Sequence, residues 1–245
     1  MSINLTIDQG NSAAKLALWK GETMVDSRIE TSLTPDAIHH FLHPHTPKVD
    51  NAIYCSVVSR GTEVMAMLSE FASRAMRLSS DMPLPITIDY GTPGTLGADR
   101  VAAGAGAAAL FPGERLLVVD AGTAVTYDAI SENGHFLGGN IAPGMNMRLE
   151  ALHRFTARLP RVKVPRELPT DRIFGCDTAS AMILGSVYGI LGAISYYESQ
   201  FNPSRVVMTG GWAGELSRLC QFPVHVEPQL VSIGLNRILI YNETK

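Results

Sequence analysis

Residues Leu116–Asp128 read LLVVDAGTAVTYD: an aliphatic run drops into Asp120-Ala121-Gly122-Thr123 and resumes as a second apolar run. β-Branched and aliphatic residues on both sides of a short turn predict two strands. The turn sets a carboxylate, a glycine and a hydroxyl side by side, a group suited to a phosphate or to its metal. The same pattern stands at Leu5–Leu18, LTIDQGNSAAKLAL, with Asp8-Gln9-Gly10-Asn11-Ser12 in the corresponding place and Lys15 on the returning strand, within reach of an anion. Read alone, the Asp8 turn is also compatible with a plain hairpin closed by an Asx turn; the recurrence favours a ligand. Asp8 and Asp120 lie nearly half the chain apart, so two similar halves are expected, residues 1–112 and 113–245, divided at Pro112-Gly113.

The chain's 245 residues are enough for a sizeable core in one large or two ordinary domains. Hydrophobic residues make up 46% and charged residues 18%, a soluble globular balance, and a net charge of −3 points to no nucleic-acid partner and no general membrane partner. Cys55, Cys176 and Cys220 are odd in number and show no CxxC spacing, which predicts neither a disulfide framework nor a zinc knuckle but buried free thiols in a reducing compartment. Strand-like sequence begins almost at once, without a basic-then-apolar leader, so a cytoplasmic location is expected.

Thr34-Pro35-Asp36 opens a helix in capping fashion, to end at His43 before Pro44. His39 and His43 have metal-ligand spacing, but no nearby carboxylate or cysteine completes a set, and the segment reads as a solvated helix. Residues 51–58 predict a strand, 62–77 a helix and Pro83–Asp89 a short strand. Then comes YGTPGTLGADR, Tyr90–Arg100, whose glycines suit backbone approach to a ligand. Asp99 and Arg100 open a helix made almost wholly of Ala and Gly, able to pack closely on its neighbours, with an N-terminal dipole that favours anions. The plainer alternative is that Asp99 only caps this helix and Arg100 faces solvent.

In the second half a strand is expected at His135–Ile141 and a helix at Met145–Leu159, followed by an ordered loop over 160–176. Thr178–Gln200 gives the longest helical pattern, with an apolar stretch short of a bilayer's need and polar flanks. Gly185 and Gly189 give it a small-residue face for helix pairing within the subunit or across a dimer. A strand at Arg205–Thr209, a helix to Cys220, a strand at 223–226 and a helix at Leu230–Tyr241 complete the reading.

D8-Q-G-N-S-A-A-K15, G97-A-D-R100, D120-A-G-T123, G138-G-N-I-A-P-G144 and Thr178, in this order along nearly the whole chain, resemble the type III pantothenate kinases of the acetate-kinase, sugar-kinase, Hsp70 and actin superfamily. Ser12 stands where that family has Thr, keeping the hydroxyl. The resemblance implies an α/β fold of two similar ribonuclease H-like domains, as in actin-like ATPases, each a mixed sheet flanked by helices, with the active site in the cleft between them. It also implies ATP-dependent phosphorylation of pantothenate to 4'-phosphopantothenate, the first step towards coenzyme A. Asp99 then resembles the general base, and Tyr90, Gly97, Ala98 and Arg100 the pantothenate contacts. Asp8, Gln9, Gly10, Asn11, Ser12, Ala13, Ala14 and Lys15 resemble the ATP-phosphate loop, with Asp8 organising Mg²⁺ through water, and Thr123 resembles a second ATP contact. Asp120 resembles the ligand of a monovalent cation, K⁺ or NH₄⁺, and Thr178 a substrate contact reaching across a homodimer interface. Two competitors are a superfamily kinase acting on another acceptor and a non-catalytic regulatory accessory factor. The Tyr90 loop with GADR argues against the first, and the intact Asp8, Asp99 and Asp120 against the second.

Overall fold

Each acidic turn closes a β-hairpin at the centre of its own sheet. The computed structural model describes all residues except Ser12, 57–60, Arg166, Thr170 and 244–245. The chain folds as two compact units. The first comprises Met1–Gly113, Glu132–Leu137 and Gln229–Lys245, the second Glu114–Ser131 and Gly138–Pro228.

The first unit carries β1 (Ile3–Gln9), β2 (Ala14–Lys20), β3 (Thr23–Glu30), β4 (Val49–Ser56) and β5 (Ala72–Arg77). They form a mixed sheet in the order β3-β2-β1-β4-β5, in which β2 runs antiparallel to β1 and β3, while β4 and β5 are parallel. Alternation decides what each face of β1 meets. Leu5 and Ile7 are fully buried in an apolar cluster with Ile38, Phe41 and Leu42 of α1 (Pro35–Leu42) and Val64 and Leu68 of α2 (Gly61–Phe71). Asn4 and Thr6, equally buried, meet polar partners: Trp19 Nε1 donates to Thr6 Oγ1 at 3.0 Å, and the Asn4 amide lies 3.2 Å from that of Asn236. The expected cap of α1 is present, the Ala37 N–H donating to Thr34 Oγ1 at 3.2 Å.

Asn236 belongs to α7 (Leu230–Glu243), which packs on α3 (Ala98–Leu110), the Ala/Gly helix. A Cβ added to Gly234 would lie 1.7 Å from the Ala102 carbonyl oxygen, and one added to Gly106 would lie 2.4 Å from that of Leu230. The two backbones touch, which explains why α3 is built from the smallest residues. This contact places α7 in the first unit, where a single cut after residue 112 had left it in the second half. Thr87–Ile88, β6, pairs in parallel with His135–Phe136 at the start of β9 (His135–Pro143), so those residues also belong to the first unit.

The second unit carries β7 (Leu116–Ala121), β8 (Ala124–Ile130), the remainder of β9, β10 (Arg205–Thr209) and β11 (Val224–Val226), in the order β11-β10-β7-β8-β9. That repeats the first sheet's order, with a central hairpin and parallel strands on one side of it. Its core gathers Leu117, Val119 and Tyr127 with Met145 and Leu149 of α4 (Met145–Arg154) and Ile183, Val187, Ile190 and Ile194 of α5 (Thr178–Phe201). A short α6 (Ala213–Ser217) follows β10. By length and composition α5 passes as a bilayer span, but those four residues are taken up by this core.

Several expected element bounds need correction. Residues 62–77 are not one helix: α2 ends at Phe71 and the chain turns directly into edge strand β5, whose Arg77 pairs with Tyr54. The helix expected at Met145–Leu159 stops at Arg154, where the Thr156 hydroxyl takes the Leu152 carbonyl at 2.7 Å and the Leu159 N–H turns onto that hydroxyl. A third strand, β3, extends the first hairpin. Of the strand expected over 51–58, residues 57 and 58 lie outside the described residues.

Candidate active site

Asp8 is the penultimate residue of β1, beside Lys15 across the hairpin and Cys55 on the parallel neighbour. The turn beyond it is closed by the Gly10 N–H donating to the Ala13 carbonyl at 3.0 Å, and Gln9 Oε1 accepts from the Tyr54 hydroxyl at 2.5 Å. Gln9, Gly10, Asn11, Ala13, Ala14 and Lys15 thus lie in or beside this turn; Ser12 lies outside the described residues.

Asp99 and Arg100 form the first turn of α3, as expected. The Arg100 N–H donates to Asp99 Oδ1 at 2.9 Å, a bond within the first turn, whereas the N-cap is Gly97 and no side chain caps the helix there; Asp99 is thus not the cap of α3. Cys55 is fully buried, and its thiol is held well above the ordinary value, first by burial and then by the negative charges of Asp8 and Asp99, with Arg77 acting in the opposite sense. The two carboxylates, from sequence-distant elements, therefore both lie within electrostatic reach of one buried thiol. Gly97 leaves this carboxylate its place, because a Cβ at that position would lie 2.5 Å from Asp99 Oδ1.

Arg100 does not face solvent: it is 5% exposed, and its guanidinium carbon lies 5.7 Å from the centroid of Tyr90 and 5.6 Å from that of Phe136. Beside Gly97 and Ala98 opens a cavity of about 390 Å³. Leu84, Ile88, Leu96 and Val101 form its apolar side, and Ser56, Arg77, Ser79 and Ser80 its polar side. Such a mixed lining suits a small acceptor with both apolar and polar groups.

In the second unit Asp120 is the penultimate residue of β7, the counterpart of Asp8. Its turn is tight against glycine backbone: a Cβ on Gly210, at φ +92°, would lie 2.4 Å from Asp120 Oδ1, and the Gly144 N–H donates to the Thr123 carbonyl at 3.1 Å. Thr123 itself is exposed. The register partner of Asp120 on β10 is Thr209, whose hydroxyl is buried without a hydrogen-bond partner. A carboxylate beside an orphaned hydroxyl is a hard-oxygen donor set, which fits an alkali-type cation. Thr178 opens α5, behind a capping box made by Asp177 and Ser180. Among the described residues no three His, Cys, Asp or Glu side chains form a metal-holding group.

The first unit thus joins Asp8, Lys15, Tyr90, Gly97, Ala98, Asp99 and Arg100, whereas Asp120, Thr123 and Thr178 belong to the second. Sequence reasoning passed over Cys55, Arg77, Phe136 and Thr209. Each owes its place to strand register, which leaves no local signal; the strand-like runs around Cys55 and Thr209 were legible, but not what those residues would face.

A family model described as type III pantothenate kinase matches residues 4–200. Among curated proteins, a type III pantothenate kinase from Porphyromonas gingivalis strain W83 is 39% identical over 99% of this chain and 100% of its own length. One from Bacteroides fragilis strain ATCC 25285 is 37% identical over 98% of each chain. Among solved structures, a Baf family protein from Campylobacter jejuni aligns over 98% of this chain and 100% of its own, at 24% identity and a TM-score of 0.65. An activator of the 2-hydroxyisocaproyl-CoA dehydratase from Clostridium difficile, with bound ADPNP, aligns over 98% and 95% at 12% identity and a TM-score of 0.54. These two likenesses concern the fold.

Proposed function

The chain belongs to the type III pantothenate kinase family and catalyses ATP-dependent phosphorylation of pantothenate, the first step towards coenzyme A, and on that premise we propose the role of each site residue. Asp99 is the general base. What supports this is that Asp8 pairs with Cys55 across β1 and β4, that the charges of Asp8 and Asp99 both act on that thiol, and that the acceptor-sized cavity begins at Gly97.

The primary hydroxyl of pantothenate attacks the γ-phosphorus, an O–P bond forms, the bond to the β-phosphate oxygen breaks, and ADP leaves. Phosphoryl transfer gains most from alignment and from cationic groups around the phosphates. Lys15 and the backbone of the Gly10 turn hold the ATP phosphates, and Asp8 would hold the accompanying Mg²⁺, which would supply positive charge on them. A carboxylate is a weak base at neutral pH, so Asp99 accepts the hydroxyl proton late, as the new O–P bond forms, and releases it to solvent after turnover. Arg100 and Tyr90 hold the acceptor, with Gly97 and Ala98 at the cavity edge. Thr123 contacts ATP. Asp120, with Thr209 beside it, would hold K⁺ or NH₄⁺, which would supply positive charge when bound. The protein acts in the cytoplasm.

We further propose a homodimer. Gly189 is occupied within the subunit, since a Cβ there would lie 2.9 Å from Arg148 Nη1, whereas Gly185 faces open space. Gly185 borders an apolar groove between α4 and α5 that includes Leu152 and Phe155, the latter 86% exposed. This face suits a second copy, to which Thr178 would offer its hydroxyl.

The assignment of Asp99 is tested by ADP release with saturating ATP, pantothenate and K⁺, together with equilibrium binding. Asp99→Asn should bind both substrates close to normally and turn over at least about a hundredfold more slowly. Turnover at the wild-type rate would remove Asp99 from the chemistry.

A further inference from the structure

The burial of Arg100 carries an inference that reaches beyond the loop it stands in. A cation removed from water needs compensation, and two aromatic rings lie within cation–π range of this guanidinium, at 5.7 Å for Tyr90 and 5.6 Å for Phe136. The rings also hold each other, edge to face, with centroids 6.3 Å apart and planes at 76°. Of the two, Phe136 is the fixed one. It is fully buried, its backbone pairs with Ile88, and its carbonyl accepts from the Asp89 N–H at 2.9 Å, one residue before Tyr90. His135 Nδ1 lies 2.8 Å from Asp89 Oδ2 and ties the same two segments again. The strand residue that sets Arg100 therefore comes from a part of the chain some forty positions on, outside the Tyr90–Arg100 loop.

We propose that Phe136 is a positioning residue for the acceptor: its ring fixes the Arg100 guanidinium and the Tyr90 ring in the orientation that binds pantothenate, without touching the substrate itself. This rests on the reading of Arg100 as an acceptor contact. A ring that merely filled volume would be replaceable by any isosteric ring. One that holds a cation depends on the electron density of its face, and loses hold as that density is withdrawn.

The test is steady-state kinetics on the full chain with Phe136 replaced by 4-fluoro-, 3,5-difluoro- and 3,4,5-trifluorophenylalanine, alongside Phe136→Leu and Arg100→Ala. The expected result is a KM for pantothenate that climbs stepwise with fluorination to about tenfold, as it does in Phe136→Leu, with kcat and the KM for ATP within about twofold of wild type. The fluorinated rings nearly preserve shape, so they carry the test even if Phe136→Leu fails to fold. A flat pantothenate KM across the fluorinated series, while Arg100→Ala raises it, overturns the role of Phe136 alone. A flat KM in Arg100→Ala overturns the reading of Arg100, and the inference with it.

Discussion

Replacing Gly97 by Ala separates activity from stability at this site. Gly97 precedes α3 with φ −56° and ψ 130°, a conformation any L-residue accepts, so the backbone raises no objection. The added Cβ would lie 2.5 Å from Asp99 Oδ1, short of the 3.0 Å below which such contacts are essentially never found, so the carboxylate must swing by at least about 0.5 Å. Being the end of a short side chain, it can do so, but it gives up the Arg100 N–H it accepts at 2.9 Å. Losing that hydrogen bond destabilises by about 1 kcal/mol, and Ala in place of Gly returns about 0.4–1 kcal/mol by restricting the unfolded chain. The two nearly cancel, so Tm should move by less than about 3 °C. Catalysis has no such compensation: misplacing a reacting group by about 1 Å reduces rate by up to about a hundredfold, and kcat should fall between about tenfold and a hundredfold. Scanning fluorimetry and ADP release at saturating substrates measure both. A variant with kcat within about threefold of wild type would refute the claim that Asp99 must stand where Gly97 lets it.

Asp120→Ala should abolish the dependence of activity on K⁺ concentration, and an unchanged K⁺ response would remove the cation from that site. Gly234→Ala forces a Cβ to 1.7 Å from the Ala102 carbonyl oxygen, a backbone atom with no rotamer to give. Overpacking of about 3 kcal/mol, less about 1 kcal/mol of improved helix propensity, leaves a net loss of about 2 kcal/mol, or roughly 4–8 °C in Tm. Gly214→Ala, with nothing within 4 Å, should leave Tm level or slightly raised, and equal effects at the two positions would contradict the packing. Cys55, whose thiol is held above the ordinary 9.0, keeps its proton in the folded chain after the unfolded chain has lost it. Its contribution to stability is full below that value and declines as pH rises past it. Timed alkylation at pH 8 should label exposed Cys176 first and Cys55 only with unfolding; early labelling of Cys55 would contradict its burial.

Both hairpins were legible because their evidence is local: aliphatic runs such as Leu116–Val119 flank a turn of small and acidic residues, and strand propensity agrees with turn chemistry. Asp99 and Arg100 could be placed at a helix start for the same reason. Ala72–Arg77 misled because no glycine or proline separates it from α2, and its strand character comes from pairing with Tyr54 and its neighbours, which only the folded sheet supplies. The place of α7 was hidden likewise. Its glycine at 234 carries no local message, and only the carbonyl of Ala102, far off in sequence, shows why a side chain is excluded. Within the candidate site, the residues proposed to act were named from sequence, whereas the place of those around them, Cys55 and Phe136 above all, depends on register.

The contact between α3 and α7 also has a consequence for how the protein is made. α7 follows α3 by roughly 120 residues, from Leu110 to Leu230. At synthesis rates of about 5–20 residues per second, a nascent chain spends roughly 6–24 s with α3 translated and α7 not yet begun. Through that interval the Ala/Gly surface of α3 and the buried amides of β1 and β4 lack their partner, while all the segments of the second unit are emerging. The first unit is thus begun before the second and completed after it, and the helix bearing Asp99 gains its α7 partner only once the second unit has been translated.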